Sequence, residues 1–149
     1  MHLMVGPPYK PARVAKISPF QTTAMAVKHV AIVEDELMVA WSIEAMLEDL
    51  GHKVVGMFAN GEEAVTALSA QAVDLVCMDI NLGGGMDGIE AARRISEGRL
   101  VRILFISAYS DATTRQRVLD EVPGARLLGK PLMLNTLEQA IRNIDHRSN

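Results

Sequence analysis

Cysteine is almost missing from this sequence: Cys77 is the only one in 149 residues. That excludes an internal disulfide framework and a zinc site built from several thiolates, and it fits a reducing compartment, so the cytoplasm is the expected location. No apolar run approaches the roughly 20 residues that a membrane-spanning helix needs, so no membrane partner is expected. A basic surplus is also lacking. The formal net charge is −3, and nucleic-acid binding would call for a basic face on the folded body. The first 24 residues have no acid and no continuous apolar core of signal-peptide length, yet they hold four of the six prolines; secretion is not expected. Residues 1–27 carry Lys10, Arg13 and Lys16 for a local +3, so the whole-chain −3 leaves −6 on residues 28–149. Residues 1–27 read as a flexible N-terminal tail ahead of one domain, residues 28–149. Three charges spread over 24 residues are weak for a basic arm, and Met25, which opens straight into an apolar run, is an alternative natural start.

Hydrophobic residues make up 49% and charged residues 22% of the chain, enough for one ordinary core and too little for two comfortable domains. From residue 29 onward, short β-branched runs alternate with stretches of helical period, the pattern of a parallel sheet covered by helices. Strands are expected over 29–33, 53–59, 75–78, 102–107 and 126–129. Between them Leu37, Ala40, Ile43, Leu47 and Leu50 step by three and four along one helix face, and Gly51 stops that helix. Asn60 can cap a second helix whose first turn holds Glu62 and Glu63, favourable charges at a positive helix start. Further helices fit 88–97, 111–121 and 133–145. Strands this short and apolar are buried on both faces, and right-handed crossovers then give an open doubly wound (βα)5 sheet. Function in such sheets lies beyond the carboxyl ends of the strands.

The residues at those ends are Glu34 and Asp35 after the first strand, Asp79 after the third, Ser107 closing the fourth, and Lys130 with Pro131 after the fifth. Crowded carboxylates raise one another's pKa unless a cation sits among them. A hard, oxygen-ligated ion answers that need, and Mg2+ suits a site with few carboxylates that also takes water and phosphate oxygens. The chemistry implied is phosphoryl transfer to Asp79, with Lys130 and Ser107 holding the transferred group. Singly, each residue has an ordinary structural explanation: a solvated loop pair, a helix cap, a turn. Their placement at four of five strand ends of one sheet carries the functional reading.

"AIVEDE", "VCMDINL", "ILFISAY" and "LLGKP", in this order, resemble the receiver domain of two-component response regulators over about residues 28–145. The resemblance implies a flavodoxin-like sheet of strand order 2-1-3-4-5. It implies that Glu34 and Asp35 hold Mg2+, that Asp79 is the phosphoacceptor, and that the backbone carbonyl of Asn81 completes the metal site. It further implies that Ser107 and Lys130 attend the phosphoryl group, and that the Lys130–Pro131 bond is often cis. A sensor histidine kinase or phosphotransfer protein is then the donor. The output would be a downstream protein or a homodimer, contacted through the fourth helix, fifth strand and fifth helix, with no room after Lys130 for an output domain.

Gly83, Gly85 and Gly88 also spell G-x-G-x-x-G, the glycine spacing of dinucleotide loops. Such a loop should follow the first strand and precede an acid by about 20 residues, whereas this one follows the third, and the residues at that distance are Ser107 and Ala108. The glycines read instead as freedom for a loop that wraps past the metal. Two departures from the resembled pattern stand out. The loop from Asp79 to Gly88 is about one residue longer than the resembled pattern, with Gly83 in place of a common proline, and Leu127 occupies the position of a reorienting aromatic, leaving Ser107 and Tyr109 as local reporters. Cys77, Trp41 and most of the nine methionines read as core, and His29, His52 and His146 lack metal-ligand spacing. An aspartate-nucleophile phosphatase would want an acid where Asn81 stands. A non-phosphorylated pseudo-receiver scaffold is the alternative, against which the intact site residues argue.

Overall fold

The computed structural model describes residues 25–108 and 111–147. The expected tail lies outside the described residues up to residue 24, as does Tyr109. Five strands and five helices alternate: β1 (His29–Val33), α1 (Leu37–Asp49), β2 (Lys53–Phe58), α2 (Gly61–Leu68), β3 (Leu75–Met78), α3 (Gly88–Ser96), β4 (Arg102–Ser107), α4 (Ala112–Glu121), β5 (Arg126–Gly129) and α5 (Leu134–Arg147). All pairings are parallel. The spatial order is β2-β1-β3-β4-β5, as expected.

The alternation of side chains along a strand sorts the core into two layers. Val30, Ile32, Cys77, Leu104 and Ile106 face α1 and α5, meeting Ile43, Leu47, Leu137 and Ile141. Ala31, Val33, Val76, Met78 and Phe105 face the other way, onto α2, α3 and α4. Strands β1, β3 and β4 are buried throughout their apolar length, but β2 and β5 are only half-buried. The expectation of strands buried on both faces therefore fails at the two edges, which have a neighbour on one side alone.

Local chemistry fixes the helix ends. Asn60, Asp87 and Asp111 occupy N-cap positions, each accepting from the backbone N–H three residues on, which satisfies a donor the helix cannot. Gly51 ends α1 at φ 93°, a left-handed backbone that glycine adopts freely. Ala40, Ile43 and Leu47 form the buried stripe of α1. Leu37, Met38 and Trp41 do not join it: Trp41 is 52% and Met38 76% exposed, correcting their assignment to the core. Cys77 is in the core as expected, and burial pushes its thiol up to about 12. It is not a reactive thiolate.

His52 was given no role by spacing, yet it is 4% exposed. Its Nδ1 accepts from the Lys28 N–H at 3.1 Å, and Nε2 is buried without a hydrogen-bond partner among the described residues. Burial, then the nearby Lys28 ammonium, push the imidazole below its ordinary 6.5, while Asp145 opposes them. The folded state therefore holds the neutral ring, and the unfolded chain binds the proton more readily. Stability from this residue is fully present above pH 6.5 and is lost as the pH falls below it. Unfolding titrations of wild type and His52→Gln at pH 7.5 and 5.5 should show wild-type stability falling relative to that of the variant as the pH drops; parallel changes would remove His52 as the cause.

Candidate phosphoacceptor and metal site

The strand order brings four loops to one rim. Central strands β1 and β3 lie side by side, so Glu34 and Asp35 follow one and Asp79 the other. The Asp79 N–H is tied to Val33 O at 2.9 Å and the Glu34 N–H to Phe58 O at 2.9 Å, extending the sheet hydrogen bonding into the site. Ser107 ends β4, and its carbonyl accepts from the Lys130 N–H at 3.1 Å. The turn that presents Lys130 continues through a cis Lys130–Pro131 bond. Glu34, Asp79 and Ser107 are all buried polar residues.

The Lys130 ammonium lies 2.8 Å from Glu34 Oε1 and 3.4 Å from Asp79 Oδ2. The contact with Oε1 is a close ion pair. Glu34 Oε2 accepts from the Glu36 N–H at 3.1 Å. Burial raises the Glu34 carboxyl to about 6, with the Asp79 charge adding and Lys130 opposing. Burial likewise raises Asp79, although Lys130 and the Asn81 N–H hold it back. Burial works to lower the Lys130 ammonium, and the two carboxylates outweigh it and raise it. One cation therefore offsets two buried acids only in part.

A divalent ion fits this donor set. Oxygens of Glu34, Asp35 and Asp79 lie within 4.8 Å of one another, two of these side chains are buried and Asp35 is exposed, and the single Lys130 ammonium is shared between Glu34 and Asp79. A hard cation with carboxylate and water ligands meets both conditions. Asn81 lies two residues beyond Asp79 in the exposed start of the glycine loop, its N–H turned onto the Asp79 carboxylate.

The glycine loop is placed by two acids, Glu62, which the sequence marks only as a charge at a helix start, and Asp87. Glu62 at the start of α2 accepts from the Met86 N–H at 2.9 Å. Asp87 caps α3 through Glu90 and accepts from Arg117 Nη1 at 2.9 Å. Gly83 and Gly85 have φ of 83° and 90°, the freedom expected of them. Gly88 does not: it is the first residue of α3 and lies against the Asp79 backbone, where a Cβ would come 2.0 Å from the Asp79 carbonyl oxygen. No local sequence signal distinguishes a glycine needed for rotation from one needed for close approach.

Comparison with known proteins agrees with this architecture. The family model described as the response regulator receiver domain matches residues 30–142. The transcriptional regulatory protein PdtaR of Mycobacterium tuberculosis is 33% identical over 114 residues, 76% of this chain and 55% of that protein. The phyllosphere-induced regulator PhyR of Methylorubrum extorquens is 35% identical over 83 residues, 55% of this chain and 31% of PhyR. The chain thus spans about half, or less, of the length of these curated relatives. Among solved structures, the signal receiver domain of a modulated diguanylate cyclase from Desulfovibrio desulfuricans superposes with a TM-score of 0.75 at 37% identity, covering 82% of this chain and 96% of that one. The receiver domain of Erythrobacter litoralis PhyR gives 0.68 at 30% identity, covering 82% and 92%. With the matched family spanning every strand from β1 to β5 and most of α5, this chain belongs to the response regulator receiver domain family of two-component systems.

Proposed function

We propose that the chain is a receiver, residues 28–149, that accepts a phosphoryl group on Asp79 from a sensor histidine kinase or phosphotransfer protein in the cytoplasm, and that signals through altered protein contacts. The observation that carries this is the placement of buried Asp79 between the Lys130 ammonium at 3.4 Å and the acidic group it forms with Glu34 and Asp35. In the transfer, an Asp79 carboxylate oxygen forms the new P–O bond while the donor's N–P bond breaks, and the imidazole nitrogen leaves with the electron pair. Lys130 is within reach of the negative oxygens that gather there, and Ser107 offers a hydroxyl from the next strand. Glu34, Asp35, Asp79 and the Asn81 carbonyl would hold Mg2+, which when bound neutralises charge on the phosphoryl oxygens. The same residues would assist hydrolysis of the acyl phosphate, so the chain aids its own phosphorylation and dephosphorylation without being a separate enzyme.

Two surfaces support the partner assignments. The donor side is the collar of Leu37, Met38, Trp41 and Met133, all more than half exposed, beside a groove of about 400 Å³ that runs from Met38 and Met46 to Lys130 and Pro131. An exposed apolar patch on the rim of the site is a contact surface. The output side is a groove of about 750 Å³ between α4, β5 and α5, with Arg115, Val118, Leu119, Leu127 and Gln139 among its walls. Among the described residues no helix is long and apolar enough to cross a membrane.

Intact mass after incubation with acetyl phosphate tests the assignment. Wild type should gain one phosphoryl group with Mg2+ and none with a chelator. No gain, with beryllofluoride also failing to bind, would favour the pseudo-receiver scaffold. Trp41→Ala separates the collar from the chemistry. It should slow transfer from a cognate donor protein by about tenfold or more, the loss typical of an interfacial aromatic, while acetyl phosphate labelling stays at the wild-type rate. Equal rates from the protein donor would rule the collar out.

A further inference from the structure

Helix α4 is the least anchored in the fold: Val118 is its single buried residue. A helix with so little apolar contact depends on whatever polar bonds hold it. Arg117, beside Val118, supplies one that leaves the helix. Its Nε donates to Glu121 Oε2 at 3.0 Å within α4, which fixes the plane of the guanidinium. Its Nη1 donates across to Asp87 Oδ2 at 2.9 Å.

Asp87 is not an ordinary surface acid. Its other oxygen, Oδ1, accepts from the Glu90 N–H at 2.9 Å and caps α3. Burial works to raise its carboxyl, and Arg117 with the Glu90 N–H outweighs it, leaving it below the usual range. The next residue, Gly88, donates to Ile80 O at 2.8 Å and presses its Cα on the Asp79 carbonyl with no space for a methyl group. A continuous set of contacts therefore runs from the backbone of Asp79 through Gly88 and Asp87 to Arg117 and α4. Leu127, on the neighbouring strand, has no polar atom with which to follow a change of charge at the site.

We propose that Arg117 is the positioning residue through which a phosphoryl group at Asp79 moves α4. The inference rests on the phosphoacceptor reading. A tetrahedral group added to Asp79 shifts the carbonyl that Gly88 touches, the N-terminus of α3 moves with it, and Arg117 carries α4 because its bonds join the two helices. An exposed ion pair usually contributes little to global stability. Here it ties a weakly buried helix to its neighbour α3, so its effect is on position.

Hydrogen exchange of residues 112–121 in the full chain, with Mg2+ and with or without beryllofluoride as the phosphoryl mimic, tests this. In wild type the mimic should change exchange in α4. In Arg117→Met that change should shrink by about threefold or more, while affinity for beryllofluoride, read by fluorine NMR, stays within error of wild type. Asp87→Asn, which keeps a side-chain oxygen for the cap, should behave as Arg117→Met does, and Arg117→Lys should restore part of the response. If Arg117→Met raises α4 exchange by the same factor with and without the mimic, the residue only stabilises the helix and the proposal fails. Normal binding in wild type with no response in α4 would also overturn it, leaving the phosphoacceptor reading intact. Failure of wild type to bind the mimic would remove that reading and this inference together.

Discussion

Asp79→Asn should take up no phosphoryl group from acetyl phosphate and, in magnesium-free buffer at pH 7.5, should be more stable than wild type. Loss of the nucleophilic carboxylate accounts for the first result. The second follows from crowding. Glu34 and Asp79 are buried together with one cation between them, and the Glu34 carboxyl is raised to about 6 from an ordinary 4.5. Ionising both at neutral pH works against a neighbouring like charge and against burial. An amide at position 79 removes one of the charges and offers an N–H to Glu34. The expected gain is about 1–2 kcal/mol, a pKa shift of about one unit being worth 1.4 kcal/mol.

The pH dependence has a definite sign. A carboxyl raised in the folded state binds a proton that the unfolded chain has already released. Its stabilisation is present below pH 4.5 and is lost as the pH rises through about 6. Wild type without metal should therefore lose stability across that window, and Asp79→Asn should lose less of it. Added Mg2+ should reverse the ranking at pH 7.5, since the ion binds the folded acidic site and stabilises it by mass action. Chemical unfolding of both proteins at pH 4.5 and 7.5, with and without Mg2+, reads all of this. A wild type more stable than Asp79→Asn in the absence of metal would contradict the crowding argument.

Strand ends were readable because parallel strands leave a simple signature. Short apolar runs such as "LVCM" at 75–78 stop where the first polar residue appears, and that residue is Asp79, already at the rim. The start and stop signals of the helices are equally local: Asn60 caps the start of α2 and Gly51 ends α1, each acting on neighbours within a few residues. Trp41 and Met38 were misplaced because helical period reports the spacing of apolar residues and not where the apolar stripe ends. Nine of the eleven residues from 37 to 47 are apolar, more than one buried face of α1 can use. The edge strands deceived for a related reason, since an apolar run does not say how many neighbours a strand has. The contacts of Glu62 with the glycine loop and of Arg117 with Asp87 leave no trace in the sequence because each reaches a backbone or side chain more than 20 residues away, a distance at which spacing carries no information.

The glycine loop gives the other large effect, and substitutions there separate the reasons a sequence can have for glycine. Gly88→Ala should destabilise the protein by about 3 kcal/mol or more, in the range of strong overpacking. A methyl group at this site would stand 2.0 Å from the Asp79 carbonyl oxygen and 2.8 Å from both the Asp79 carbonyl carbon and Ile80 Cα. These are backbone atoms held by the sheet, so they cannot turn aside as a side chain would. The start of α3 must move outward instead, breaking the Gly88 N–H bond to Ile80 and straining the Asp87 links to Glu90 and Arg117. Alanine's better helix propensity, about 1 kcal/mol, opposes this and is too small to win. Gly83→Ala meets no neighbour within 4 Å but has φ 83°, so its cost is conformational, about 1 kcal/mol. Gly84→Ala meets neither obstacle and should fall within about 0.5 kcal/mol of wild type. Urea unfolding of the three variants should rank them Gly88, Gly83, Gly84 from most to least destabilised. The Gly88 variant should also accept phosphoryl more slowly, because the carbonyl it displaces belongs to Asp79. If Gly83→Ala proved the costlier change, loop conformation and not contact with Asp79 would be what this segment's glycines chiefly serve.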